Sequence, residues 1–561
     1  MEFFPKDVAQ KLEFDKILEL VERECLGELG QTALRDQGFC TDFHTIDIWL
    51  KEVREFKMTI ERNEKFPIAA YRDIRADMKM LSIDGYVLSV ESFQKIVVIL
   101  LIIRDLWRFF GGQKKEILPR LYEILRPLSY DERLVKEISA VFDDNGNVRP
   151  DASPELMRIR KDQQHKFAEL DRKFKAILQE FRAKGWLGDV PESFRNGRRV
   201  LVVPAEYKRQ VRGIIHDESD SGKTTFIEPE AIIEVNNDIF DLEQAERREI
   251  WRILRDLSAT MRPYIPILEN YLDAIVRFDV IQAKARLAQN LRAGMPILHN
   301  RPIFSVRKAF HPLLFLKNKG TGKKTVPFDL RLTDENRILV LSGPNAGGKS
   351  VAMKSVGLLQ LMLQHGMLVP MHELSEMGVF NKIMADIGDQ QSLDDDLSTY
   401  SSRLKNAREF IQHADFQSLI LIDEMGSGTD PKPGGALGEA VLKELHKKEV
   451  FGVVTTHYSA LKVYAFRTKG ILNGHMNFDQ QHLAPTYELK IGRPGSSFAF
   501  EIAAKSGIPR HIIDFARSRM GEKETAVDDI LVELQREKQE LEERLSELEG
   551  QGNLLEAQRL R

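Results

Sequence analysis

Residues 343–350 read Gly-Pro-Asn-Ala-Gly-Gly-Lys-Ser. An apolar run, Ile338 to Leu341, precedes them and reads as a buried parallel strand, and Val351 to Gln364 follows with the apolar spacing of a helix. Strand, glycine-rich turn and helix form the context of a phosphate-binding loop. Gly343, Gly347 and Gly348 let the backbone curl so that successive N–H groups face one anion, and the positive end of the new helix adds to them. Lys349 is expected to reach the β- and γ-phosphates and Ser350 to offer its hydroxyl to Mg²⁺, with Pro344, Asn345 and Ala346 completing the cradle. Two lookalikes fail the pattern. Ser221-Gly222-Lys223-Thr224 has Asp217 where the first glycine belongs, and Gly320-Thr321-Gly322-Lys323 has Lys317 there.

The neighbouring runs read as further strands of the same sheet. Leu419 to Ile422 is apolar and ends in Asp423-Glu424. Adjacent acids at the end of a buried strand are costly without a cation, which suits a P-loop ATPase: Asp423 would hold Mg²⁺ through water, and Glu424 would orient and activate the attacking water. Val450 to Thr456 ends at His457, which either senses the γ-phosphate or is a core or surface histidine. Between these strands, Ser398 and Thr399 are placed to cap a helix running to His413. That helix N-terminus is either a plain cap or a second anion site, and a head-to-tail dimer would let it face a partner's γ-phosphate. Pro302 to Val306 and Leu313 to Leu316 read as strands, and Lys317 to Lys324 as an exposed turn.

Composition bounds the rest. The 561 residues carry 82 basic and 85 acidic side chains, so a nucleic-acid contact must come from local patches. Cys25 and Cys40 form no metal or disulfide framework and read as free thiols in a reducing cytoplasm. The N-terminus has no signal-peptide pattern, and Ile96 to Ile103 is too short to span a bilayer and reads as a buried helix.

Upstream, residues 1–150 read as helical, ending in the turn signal Asp143-Asp144-Asn145-Gly146-Asn147. Leu156, Ile159, Gln163, Phe167, Leu170, Phe174, Ile177 and Phe181 step by threes and fours, as one long helix with a narrow apolar seam. Period-two stretches follow at Arg199 to Val203, Val211 to His216 and Thr224 to Ile227, and helix resumes from about Glu230. A helix out, a small β tip and a helix back make an arm. The tip concentrates Arg195, Arg198, Arg199, Lys208, Arg209 and Arg212, which either grip a phosphate backbone or are a solvated face. Val527, Leu531, Leu534, Lys538, Leu541, Leu545 and Leu548 read as a short coiled-coil seam.

The expected fold class is therefore multidomain, α plus α/β. It comprises a helical core domain (1–150), an arm (151–245), returning helices (246–295), a P-loop ATPase domain (296–520) and a coiled coil (521–561).

Gly343 to Ser350, Leu397-Ser398-Thr399-Tyr400, Asp423-Glu424-Met425-Gly426-Ser427-Gly428-Thr429-Asp430-Pro431 and Thr455-Thr456-His457 together resemble the MutS family of ABC-type ATPases. So does Gly495-Ser496-Ser497-Phe498-Ala499 running into Ser506-Gly507-Ile508-Pro509. Leu12 to Ile17, Gly213 to Asp217 and Phe226 to Pro229 are similar to the second bacterial branch, which lacks mismatch reading. The Phe-x-Glu at Phe167-Ala168-Glu169 lies in the long helix, where Phe167 is needed for the seam. That branch usually continues into a small C-terminal Smr nuclease domain, and endonuclease activity is not expected of these residues.

The resemblance implies a cytoplasmic homodimeric clamp using ATP and Mg²⁺, in which the core and returning helices act as levers, the arm is a clamp and the ATPase domain is of ABC type. Asn345, Lys349 and Ser350 would bind nucleotide and metal in cis, Asp423 and Glu424 would hold Mg²⁺ and water, His457 would sense γ-phosphate, and Ser398 would reach the partner's nucleotide. Three partners fit: branched DNA in recombination control, rRNA of collided ribosomes, or protein partners of an ATP-switched scaffold. Mismatch repair fits least.

Overall fold

The apolar runs around the P-loop assemble into one sheet because each is uniformly hydrophobic over a strand length, as expected where both faces are covered. In the computed structural model, which describes residues 1–188, 190–344, 347–388, 399–479, 484–494, 503–504 and 507–519, the chain divides into two compact units. One comprises Met1–Phe66, Gly112–Ile124 and Val276–Arg561, the other Pro67–Gly111 and Leu125–Ile275.

The first unit holds a seven-stranded sheet in the order Glu2–Phe4, Lys382–Asp386, Ser418–Ile422, Phe451–Thr455, Ile338–Ser342, Ile471–Asp479, Ala484–Ile491. All neighbours are parallel except the last pair. The strands at 338–342, 418–422 and 451–455 are buried at every residue, and helices Lys349–Gln364, Thr399–His413 and Pro431–Lys447 connect the strands. A core of Val340, Met384, Phe410, Ile420, Leu442 and Val454 fills the space on one side. A smaller mixed sheet, ordered Ile297–His299, Glu376–Gly378, Phe304–Ala309, Phe328–Leu332, completes the unit's β-structure among the described residues.

Three readings of this unit change. Glu2–Phe4 is a strand rather than part of a helical segment; it pairs in register with Lys382–Met384 as a parallel edge. Leu313 to Leu316 is not a strand and Lys317 to Thr321 is not a turn, because Pro312–Thr321 is a helix. Pro312 stands in its first turn, where a missing N–H costs nothing, and Gly322 ends it at φ +71°.

The second unit is helical with one β element. Val90–Phe109 is the helix expected around Ile96, and the Asp143 carboxylate closes its turn by accepting from the N–H groups of Asn145 and Asn147. Pro154–Ala183 is the long helix expected from the three-and-four spacing, capped by Ser153, and it packs along Glu230–Met261. Phe167 departs from the seam reading, being 48% exposed. At that level the two helices meet through polar contacts, with Arg160 and Gln163 on Glu246 and Lys166 on Asp238.

Between those helices the antiparallel sheet runs Glu192–Arg195, Arg198–Pro204, Thr224–Pro229, Gly213–Glu218. Its inner residues Leu201, Val203 and Ile227 pack on Phe174, Val235 and Ile239. No helix among the described residues is long and apolar enough to cross a membrane. Both cysteines are free, and burial pushes the Cys25 thiol up to about 12.

Candidate active site

The P-loop leaves the buried strand Ile338–Ser342 and enters the helix Lys349–Gln364 through Gly348, whose φ of +92° is one that L side chains rarely adopt. A Cβ there would come within 3.2 Å of the Tyr487 ring, so glycine serves both conformation and clearance. Lys349 is 2% exposed. Its Nζ donates to the carbonyl of Gly343 at 2.5 Å and lies 2.9 Å from His457 Nε2.

Burial, opposed by the nearby Glu424 and Asp423 carboxylates, lowers the Lys349 pKa to about 8. Burial also lowers His457, with the Lys349 charge adding to it, so a neutral imidazole faces the ammonium. A buried ammonium beside a glycine-rich turn suits an anion.

The sign of the pH dependence follows. Phosphate binding raises the pKa of Lys349 and therefore takes up a proton whenever the free lysine is neutral. ATP affinity is then level below pH 8 and falls as pH rises through 8, by up to about tenfold per unit. Titration calorimetry at pH 7, 8 and 9 in buffers of different ionisation heat checks this. Affinity that stays level to pH 9 contradicts it.

The carboxylates stand where the strand ends. The Thr455 hydroxyl donates to Asp423 Oδ1 at 2.6 Å, and Thr455 Oγ1 in turn accepts from the Glu424 N–H at 2.8 Å. Glu424 has a φ of +51°, an uncommon conformation for a residue with a Cβ. Its Oε1 lies 3.9 Å from His457 Nε2. Parallel pairing of Ser418–Ile422, Phe451–Thr455 and Ile338–Ser342 brings their C-terminal ends side by side, which gathers Lys349, Ser350, Asp423, Glu424 and His457 into one site.

The donor set fits the expected ligands. Ser350 and Asp423 offer the hydroxyl and carboxylate oxygens that suit Mg²⁺, and glycine backbone plus a buried ammonium suit phosphates. Asn345, Ala346 and Ser398 lie outside the described residues, as do the 495–499 stretch, Ser506 and the heptads from Val527 to Leu548. Thr399 opens the helix Thr399–His413.

Three side chains with a part in the site were not singled out from the sequence. Thr455 belongs to a quoted motif but carried no role. Tyr487, at φ +59° and 53% exposed, lies over the P-loop through strand pairing far along the chain. Arg403 binds the carboxylate loop from the helix Thr399–His413.

At the arm tip the six basic residues divide. Arg198 contacts both oxygens of the fully buried Glu228, which also bonds His216 and Asn236. Arg199 pairs with Glu192 and Asp171 and lies 4.4 Å over the Phe174 ring. Arg195 lies 3.8 Å over Phe226 and pairs with Asp217, and Lys208 pairs with Glu218. Arg209 and Arg212 are exposed and make no ion pair with a described residue.

Residues 339–524 match the model of MutS domain V. Over 556 residues the chain is 35% identical to a protein named Endonuclease MutS2 from Geobacillus thermodenitrificans, covering 98% of this chain and 69% of that one. It is 34% identical over 545 residues to the one from Halothermothrix orenii, covering 96% and 68%, and 36% over 537 residues to the one from Pelotomaculum thermopropionicum, covering 96% and 67%. Near-full-length identity of this order, on top of the strand-end geometry above, places it: the chain belongs to the MutS family of ATPases, as a member of the MutS2 type.

Proposed function

We propose that this protein is an ATP-hydrolysing clamp that acts on branched DNA and restrains recombination. The observation that carries the hydrolytic half is the convergence of Lys349, Asp423, Glu424 and His457 at neighbouring strand ends. In this reading the phosphate tail of ATP enters the cradle Gly343–Ser350 and takes the place of the Gly343 carbonyl and His457 as the partner of Lys349. Ser350 and Asp423 would hold Mg²⁺, which would supply charge screening to the phosphates. Glu424 accepts the proton of the attacking water, and His457 holds the γ-phosphate side of the site. Thr455 fixes the Asp423 carboxylate and the Glu424 backbone at once, so metal ligand and base keep one spacing.

The clamp half rests on family membership and on the arm. Its five-part layout, from lever helices to terminal coil, and its working form, a homodimer with composite sites completed by Ser398 and Thr399 of each partner, are part of the proposal. Among the arm's cations, Arg209 and Arg212 are exposed and open to phosphates, whereas Arg198 and Arg199 hold the tip together.

Replacing Arg209 and Arg212 together by alanine is therefore expected to weaken junction binding about tenfold. The slope of log affinity against log salt should fall by about two, one for each lost contact. Melting temperature should not change. A salt slope equal to that of the wild type would remove these residues from the interface.

The ATPase rate with three additions in turn tests the partner: four-way-junction DNA, duplex with one mismatch, and stalled disomes. Stimulation by junctions supports recombination control. Stimulation by disomes alone would replace DNA with rRNA as the partner, and a response to none of them would favour a scaffold.

A further inference from the structure

We infer that Arg403 is a positioning residue for hydrolysis, tying the helix Thr399–His413 to the backbone that presents Glu424. This rests on the ATPase reading above and adds a control point to the same site.

Arg403 Nη1 donates to the carbonyl oxygens of Asp423 at 3.3 Å and Glu424 at 3.0 Å, and to the Ser427 hydroxyl. The Glu424 carbonyl also accepts from the Ser427 N–H at 3.0 Å, so the turn closes around the guanidinium. A left-handed φ at a residue with a side chain costs energy and persists only where the surroundings over-determine it. Here Thr455 fixes the turn on one side and Arg403 on the other.

The same helix makes a second attachment. One turn beyond Arg403, Asn406 donates to Asp386 Oδ1 at 2.8 Å, and the Asp386 carbonyl accepts from the Asp423 N–H at 2.8 Å. The helix thus grips the ends of two adjacent strands, one of which carries the base. A cavity of about 50 Å³, lined in part by Leu404, Ala407, Leu437 and Val441, borders this contact. That gives the helix room to shift against its neighbour. Displacing the helix moves the carbonyl of Glu424 and, with it, the carboxylate.

The phosphate cradle lies on other elements, Ile338–Ser342 and Lys349–Gln364, whereas the Arg403 bonds above go to the turn that carries Glu424. A positioning role therefore separates turnover from affinity. In the full chain, Arg403→Ala is expected to lower kcat about 10- to 100-fold, the usual scale for a misplaced reacting group, with KM and the ATP dissociation constant within about twofold of wild type. Arg403→Lys keeps a charged donor but not the fork, and should recover part of that loss.

Unchanged kcat in Arg403→Ala overturns the inference, and so does a parallel loss of kcat and affinity. Should the alanine variant fail to fold, Ser427→Ala removes one bond of the turn and is expected to lower kcat at constant affinity. Wild-type kcat in both Arg403→Lys and Ser427→Ala overturns the inference equally. A wild-type chain without ATP turnover would instead remove the parent reading.

Discussion

Glu424→Gln is expected to bind Mg-ATP with near wild-type affinity and to hydrolyse it about 10²- to 10⁴-fold more slowly, the usual worth of a positioned general base. Glutamine keeps the size and hydrogen-bonding reach of the side chain but has no carboxylate to accept a proton. The geometry argues that the loss stays local. Glu424 enters the surrounding network through its backbone, donating to Thr455 and accepting from Arg403, and neither bond involves the carboxylate. His457, 3.9 Å from that carboxylate, is too far for a hydrogen bond, so neutralising Glu424 strands no partner among the described residues. In a dimer with composite sites, uncleaved nucleotide should hold the two heads together. Size-exclusion chromatography of the variant with Mg-ATP is then expected to show a long-lived dimer retaining nucleotide. Turnover at the wild-type rate would sink the assignment of Glu424 as base.

The second large effect is expected at Lys349. Lys349→Ala should weaken ATP binding by about two powers of ten, from the loss of charge-assisted bonds of roughly 1.5–3 kcal/mol to the phosphates, and should abolish measurable turnover. Such losses often reflect damage to the fold, but the sign of the pKa shift argues otherwise here. The folded state lowers this lysine from 10.5 to about 8 by burying it, so at pH 7 the charged side chain opposes folding. That penalty is full below pH 8 and fades as pH rises toward 10.5. Removing the ammonium relieves it and leaves His457 as a neutral ring in a half-buried place. Melting temperature at pH 7 should therefore be unchanged or higher in the variant while nucleotide binding is lost. A lower melting temperature would show that Lys349 is needed for the fold rather than for the ligand.

The site was legible in the sequence wherever its chemistry sits at the end of a uniformly apolar strand. Ile338–Ser342, Ser418–Ile422 and Phe451–Thr455 announce themselves because both faces are covered, and the polar residues that follow have no packing reason to be there. The succession of helix, small sheet and helix was legible for a similar reason, since three-and-four spacing passes abruptly into period two near Arg199.

What escaped depends on tertiary approach. Glu2–Phe4 is too short and mixed to read as a strand, and becomes one by pairing with Lys382–Met384. Phe167 fits the seam by spacing, yet the facing helix offers Asp238 and Glu246 to its neighbours rather than an apolar surface. Pro312–Thr321 shows no amphipathic period, and only its proline and Gly322 signal a helix. Arg403 and Tyr487 reach the site from outside its motifs, and no local spacing marks an arginine that reads carbonyl oxygens 20 residues away. Among the basic residues of the tip, type and proximity did not separate those spent on Glu228, Glu192, Asp171 and Asp217 from those that remain exposed.

The central claim is that Gly343–Ser350, Asp423, Glu424 and His457 form a working ATP-hydrolysing site. Phosphate release from Mg-ATP by the full chain, measured beside Lys349→Ala purified in the same way, tests it most directly. The account expects steady release from the wild type, loss of that release when Mg²⁺ is chelated, and none above background from the variant. Equal release from both proteins, or none from a folded wild type, would contradict it.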